Sequence, residues 1–373
     1  MRLLTPGPTP VPQEILAELA RPMVHHRTDE YRRILREVTE GLQYLFQTKA
    51  TCLTITGSGT AAMEAAIVST CAPGRKALVV RNGKFAERWA DVCRAFRIDH
   101  VTCDAEWGTA PGPDRIAEHL AADPSIGYVI VVHCETSTGT ACDLEAIARV
   151  TREHHALLIV DAVASAGALP LRMDAWGVDV VATGSQKAMM LPPGLGFVAV
   201  NDRAWAAAES FSSPAYYNCL KAYRKALAAD FDAPYTPAIP LVVAARKALA
   251  SIREEGIENI WAKSSRLARA TRAAGRAIGL HVFSQQPSDS VTALCVPEGI
   301  DDKVLRTRLR NEHGVMIAGG QGKLQGRIVR IGHMGQVDAV DTLGALAAIE
   351  LVLASMGHTF TLGAGVTAAL RAM

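Results

Sequence analysis

YVIVVH (128–133), ALLIVD (156–161), VDVVATG (178–184) and GFVAV (196–200) are short, almost unbroken apolar runs set between polar and glycine-rich stretches. Runs this short, apolar at consecutive positions, suit strands covered on both faces of a sheet. Towards the N-terminus the pattern repeats in CLTIT (52–56), KALVV (76–80) and DHVTC (99–103). Helical patterns fill most of the gaps, among them Thr60–Thr70, Phe85–Phe96 and Leu144–His154. Strand–helix alternation implies right-handed crossovers and a mostly parallel, seven-stranded sheet of the α/β class. Upstream, Ile34, Leu35, Val38, Leu42 and Leu45 recur at helical spacing within Asp29–Phe46. Prolines at 6, 8, 10 and 12 make the first dozen residues a stiff extended arm, which must lie on its own domain or on a partner subunit.

After about residue 205 the character changes. A loop rich in aromatics and proline (FSSPAYYN to DAPYTPAIP) leads into a long helical region over 239–278. Then come strands at His281–Ser284 and Val291–Val296, a helix at Asp302–Glu312, strands at Val315–Ala318 and Ile328–Ile331, and a helix at Asp338–Ser355. The tail from Gly357 is Gly/Ala/Thr-rich and carries no pattern. The expected organisation is an arm (1–21), a large domain (22–255) and a smaller α+β domain (256–373).

The chain has 373 residues, 49% of them hydrophobic, which excludes a disordered protein. Its 39 basic and 37 acidic residues nearly cancel, arguing against a broad nucleic-acid or membrane surface. The eight cysteines are scattered, with no C-x-x-C pair and no metal-ligand spacing, and read as reduced thiols. No apolar stretch is long enough to span a membrane, and the proline-broken N-terminus does not resemble an export signal. The expectation is a soluble cytoplasmic protein without a metal.

Three features carry chemistry. Thr56-Gly57-Ser58-Gly59-Thr60 joins an expected strand to an expected helix, where amides and small hydroxyls can hold a phosphate. A tight turn with a Ser58 N-cap accounts for the same residues. Asp161 closes ALLIVD at the strand end where α/β proteins place ligands, although an isolated Asp there is commonly a cap or a loop ion pair. Lys187 follows another strand and is flanked by Gly184, Ser185, Ala188, Met189, Met190 and Leu191, a setting that suits a solvated surface lysine poorly. Partial burial lowers an ammonium pKa, as imine formation requires. A cofactor with a phosphate, a basic ring nitrogen and an aldehyde needs one of each, and pyridoxal 5′-phosphate is that cofactor.

The segments LLTPGPTPVP, HHRTDEYR, TGSGTAAMEAA, VRNGKFAERW, HCETSTGT, VDAVASAGALP, TGSQKAMMLPPGLGF, YTPAIP and IAGGQGKLQGRIVRIGHMG occur in that order. Together they resemble the class V (fold-type I) aminotransferases, in particular the alanine/serine–glyoxylate or –pyruvate group, over residues 3 to about 356. The resemblance implies a fold-type I architecture and transfer of an amino group to glyoxylate or pyruvate. Lys187 is implied as the Schiff-base lysine and proton carrier, and Asp161 as the partner of the pyridine nitrogen. Phe85, where many relatives carry Trp, is implied to stack on the ring opposite Val163, with Thr136 near the phenolic oxygen. Ser58, Gly59, Thr60 and Gln186 would grip the phosphate, joined by Thr236 from the other subunit of a homodimer. Relatives often place Tyr three positions before that Thr; here the residue is Ala233, and Tyr235 is the neighbouring candidate. Arg330 is implied to pair with the substrate carboxylate, with Gly7 beside it.

A lyase or cysteine desulfurase of the same fold is the nearest alternative, but desulfurase-like relatives usually put His where this chain has Phe85 and Gln186. A 2-aminoethylphosphonate-type aminotransferase is a further one. A Rossmann dehydrogenase fits poorly, because Ala62 takes the last glycine position of the G-x-G-x-x-G fingerprint. Alanine and serine are the expected donors, with aspartate open through Arg27 or Lys323 as a second anion site. His25 and His26 could line the entrance, and His133 reads as a structural histidine.

Overall fold

The computed structural model describes residues 1–373. Its seven expected strands all form: β1 (Thr51–Thr56), β2 (Lys76–Arg81), β3 (His100–Asp104), β4 (Ile126–Val132), β5 (Leu157–Asp161), β6 (Val180–Gly184) and β7 (Leu195–Val200). They make one sheet in the order β1-β7-β6-β5-β4-β2-β3. Only β7 runs antiparallel to its neighbours, so six strands point the same way.

Alternate residues of each strand enter opposite apolar layers. Leu158 and Val160 join one core with Val38, Leu42 and Leu249, whereas Leu157 and Ile159 join the other with Met63, Ile67 and Trp89. Covering both faces explains why the runs are apolar throughout rather than alternating. On the first face lie α1 (Asp29–Phe46) and the later helix Ile239–Glu255; on the second lie α2 (Gly59–Thr70) and α3 (Lys84–Ala95). Thr28 caps α1 through the Tyr31 amide, and Ser58 caps α2 through the Ala61 amide. The strands that point the same way bring their C-terminal ends to one edge, which is where the cleft opens.

A second, three-stranded antiparallel sheet is built from β8 (Val291–Cys295), β9 (Ala318–Gly319) and β10 (Ile328–Gly332), in the order β8-β10-β9. Helices Asp302–His313 and Ala339–Ser355 pack on it around Leu305, Leu309, Ile349 and Val352.

Several sequence expectations are corrected. The arm is not extended throughout 1–21: Gln13–Leu19 is a helix, starting directly after Pro12, which is its N-cap. The arm lies on its own chain, with Arg2–Leu3 pairing in parallel with Val315–Met316. The region 239–278 is two helices, Ile239–Glu255 and Ile257–Ala277, broken at Gly256 with φ of 83°. The aromatic loop contains a helix at Leu220–Asp230. His281–Ser284 forms no strand, only a single bridge from Val282 to Leu294. Val315–Ala318 divides into Val315–Met316, which pairs with the arm, and β9, which pairs with β10. The tail forms a helix at Ala364–Ala372.

Candidate active site

The cleft encloses about 110 Å3 and is lined by Ser58, Gly59 and Thr60 after β1 and by Phe85 after β2. Thr136 lines it after β4, Asp161 and Val163 at the end of β5, and Gln186 and Lys187 after β6. Nine sequence-predicted residues from five strand ends therefore converge.

Lys187 is partly buried, and its Nζ donates to the Pro6 carbonyl oxygen at 2.6 Å. Burial pushes its pKa down to about 8. The arm is what encloses it. Thr9 Oγ1 donates to the Lys187 carbonyl at 2.6 Å, and the Thr9 amide donates to the Gln186 carbonyl at 3.1 Å. Gly7 has φ of 133°, and a Cβ there would lie 2.4 Å from Lys187 Nζ, so only glycine lets the arm and the lysine approach.

Asp161 is 4% exposed. One carboxyl oxygen accepts the Val163 amide at 2.8 Å, and the other has no partner within the chain. Burial, reinforced by Glu135, pushes its pKa up to about 7 against the pull of that amide and of Lys187 and Arg88. Gly59 lies against Val163, where a Cβ would come within 2.6 Å of Cγ2. Gln186 Oε1 is buried without a hydrogen-bond partner.

Arg330, at the middle of β10, is 6% exposed. Its Nε donates to the Gly319 carbonyl at 2.9 Å and its Nη1 to the Thr136 carbonyl at 2.9 Å. Both partners are neutral, so the guanidinium has no carboxylate counter-ion in the chain. Burial lowers its pKa to about 10, still well above neutrality.

Thr236 is exposed and outside the cleft. Tyr235 stacks on Tyr217, with ring centroids 5.1 Å apart, and donates to the Tyr216 carbonyl. Arg27 is committed to Asp232 and the Ala233 carbonyl, and Lys323 sits 4.5 Å above the Trp107 ring. Neither lines the cleft. His25 and Thr28 line a separate surface hollow beside Arg33 and Arg246. His133 is buried, with its pKa lowered to about 4 by burial, and is therefore neutral.

Arg88 and Cys134 also line the cleft, and sequence reasoning missed both. Arg88 Nη1 donates to Thr60 Oγ1 at 2.8 Å, with its guanidinium 5.2 Å from the Phe85 ring centroid. Its one signal was a position a helical turn after Phe85. Cys134 Sγ lies 3.1 Å from Ser288 Oγ and 3.0 Å from Ser290 Oγ, residues distant in sequence.

The unmet polar groups match pyridoxal phosphate part by part. Unbonded amides at the start of α2 suit a phosphate, as does the unpaired end of the Gln186 side-chain amide once its NH2 is turned to donate. The free Asp161 oxygen suits a ring N–H, and the Lys187 amine suits the aldehyde. The residues present fit the cofactor.

Comparison with known proteins agrees with this geometry. The family model "Aminotransferase class-V" matches residues 3–335. The "soluble hydrogenase 42 kDa subunit" of Anabaena cylindrica is 43% identical, over 100% of this chain and 98% of its own length. The L-aspartate–glyoxylate aminotransferase of Paracoccus denitrificans is 36% identical over 98% of this chain and 94% of its own. The crystal structure of ureidoglycine–glyoxylate aminotransferase from Bacillus subtilis superposes with a TM-score of 0.95 at 29% identity, covering 100% of this chain and 98% of that one. With its strand-end lysine and aspartate and a match over most of its length, the chain belongs to the class-V aminotransferases.

Proposed function

We propose that this protein is a pyridoxal-phosphate-dependent aminotransferase that moves the amino group of a small L-amino acid (alanine, serine or aspartate) to glyoxylate or pyruvate. The observation that carries the reading is Lys187: an amine with a lowered pKa, held by one carbonyl, in a cleft it shares with a buried aspartate. Relatives acting on aspartate or serine with glyoxylate support the donor and acceptor classes.

When bound, the cofactor supplies an aldehyde that condenses with amines and a ring that accepts the electrons of the Cα–H bond. Ser58, Gly59, Thr60 and Gln186 would hold its phosphate, with the start of α2 contributing its partial positive charge. Asp161 would keep a proton on the ring nitrogen. Phe85 and Val163 would hold the ring between them, and Thr136 would meet the phenolic oxygen. Arg330 would bind the α-carboxylate of the donor and then of the acceptor, orienting the Cα–H bond. Lys187, once displaced by the donor amine, would take the Cα proton and deliver it to the former aldehyde carbon.

We further infer a homodimer in which Thr236 completes the partner's phosphate site. Its exposure supports this, as do the adjoining Tyr216, 83% exposed, and Tyr217. The eight free cysteines support a cytoplasmic setting. A donor screen tests the activity: each amino acid is added to the cofactor-loaded protein and loss of the visible band is followed. Alanine, serine or aspartate should bleach it, glyoxylate or pyruvate should restore it, and Lys187→Ala should do neither. A wild-type protein bleached by no amino acid would overturn the proposal.

A further inference from the structure

Glu135 is completely buried between the end of β4 and the start of α3. Its Oε2 accepts the amides of Phe85 at 3.0 Å and Ala86 at 2.8 Å. Its Oε1 accepts the Ser137 amide at 3.0 Å and the Ser137 hydroxyl at 2.6 Å. Ser137 Oγ in turn accepts the Lys84 amide at 3.0 Å, so its proton is directed at the carboxylate. Every partner is a donor on both oxygens. A glutamine here must turn its NH2 towards at least one backbone amide donor whichever way it is flipped (Phe85 and Ala86 on one side, Ser137 on the other), so the site favours a carboxylate. The negative charge also sits at the start of α3, where the helix dipole favours it.

The backbone makes room for this group. A Cβ on Gly83 would lie 2.2 Å from Glu135 Cγ, 2.4 Å from its Cδ and 2.7 Å from Ser137 Oγ. Gly83 is extended, with φ of 174°, so the close approach rather than the backbone angle calls for glycine.

The anchored segments carry the cleft. Phe85 is itself one of the donors and lines the cleft. Thr136, next in sequence, lines it too, and its carbonyl holds Arg330 Nη1. Glu135 also helps keep the Arg330 guanidinium charged against its burial. One carboxylate thus joins 83–86 to 135–137, and the Thr136 carbonyl carries the link on to the strand bearing Arg330.

We propose that Glu135 is the positioning residue that sets Phe85 in register with Thr136 and, through the Thr136 carbonyl, with Arg330, acting through its negative charge. This rests on the reading of Phe85 as the ring-stacking residue and Arg330 as the carboxylate binder. The test compares Glu135→Gln and Gly83→Ala with wild type, all loaded with cofactor. KM and kcat are measured for an amino-acid donor, single-turnover bleaching for an amine of the same side chain without the carboxylate, and visible circular dichroism for the ring.

Both variants should raise KM for the amino acid by about tenfold, the scale of a lost buried charge-assisted hydrogen bond. They should disturb bleaching by the carboxylate-free amine much less, and both should weaken the visible dichroism. Unchanged KM and dichroism, with only a lower melting temperature, would overturn the proposal. If both variants fail to fold, Ser137→Ala removes one of the four bonds and should shift KM in the same direction by a few-fold; an unchanged KM there also overturns it. A wild-type protein that takes up no cofactor would bring down the underlying reading first, and the two failures are thereby distinguished.

Discussion

Lys187 Nζ is left with one carbonyl, that of Pro6, and no carboxylate in contact. The loss of solvent favours the neutral amine and moves the pKa from 10.5 to about 8. Between those values the folded chain binds fewer protons than the unfolded one, so stability from this group rises with pH across that window. Reactivity follows the same shift. The rate at which the cofactor-free protein captures pyridoxal should climb to a plateau just above pH 8, whereas a solvated lysine would keep climbing towards 10.5; stopped-flow absorbance decides between them. Lys187 and Asp161 were legible in sequence as cleft residues because Asp161 ends a buried apolar run and Lys187 follows another by three positions. Arg88, Glu135 and Cys134 were not, because an arginine on a helix or a Glu after a strand carries no mark of what it faces until the elements are packed. The Ser58 turn turned out to be the capped one, and a cap leaves the following amides free for an anion.

At the scale of elements, the seven strands of the large sheet were read nearly residue for residue, while two strands expected after residue 280 and several connections were not. Strands covered on both faces announce themselves by apolarity alone. The C-terminal helix Ala364–Ala372 does not, because its start is held by a distant residue. Buried Glu350, on the helix Ala339–Ser355, accepts the Gly363 amide, and the Val366 amide at 2.8 Å. Ala270, Ala274 and Leu346 pack against Ala369 beneath it. Glu350→Ala should leave two amides unpaired and cost about 2 kcal/mol, at about 1–3 kcal/mol for a buried unsatisfied group. The melting temperature should fall by several degrees; an unchanged melt would show the helix docks through its apolar face alone. The strand expected at Val315–Ala318 divides for the same kind of reason: Arg2–Leu3 and β10 compete for adjacent residues, and the arm takes the first pair.

At the scale of the molecule, Arg330 reaches from the second sheet to Gly319 on one side and, on the other, to Thr136, which follows β4 and lines the cleft, so the second sheet is tied to the cleft wall. The proposed homodimer extends that logic to a second chain. Sedimentation of the wild-type protein should give a dimer, and Thr236→Ala should weaken cofactor binding by roughly tenfold, about the loss of one hydrogen bond to a charged group. A monomer that holds the cofactor with full affinity would remove Thr236 from the site. The sequence by itself determined the sheet class, the strand-end lysine and aspartate, and the kind of cofactor they suit. These follow from local apolarity and from the rule that strands running the same way deliver their ends to one edge. Only the tertiary structure decided that the arm folds back over Lys187, that Arg27 is committed to Asp232, and that Glu135 ties Phe85 to the segment holding Arg330. Those are contacts between residues far apart in the chain, and their partners are chosen by packing rather than by any pattern along the sequence.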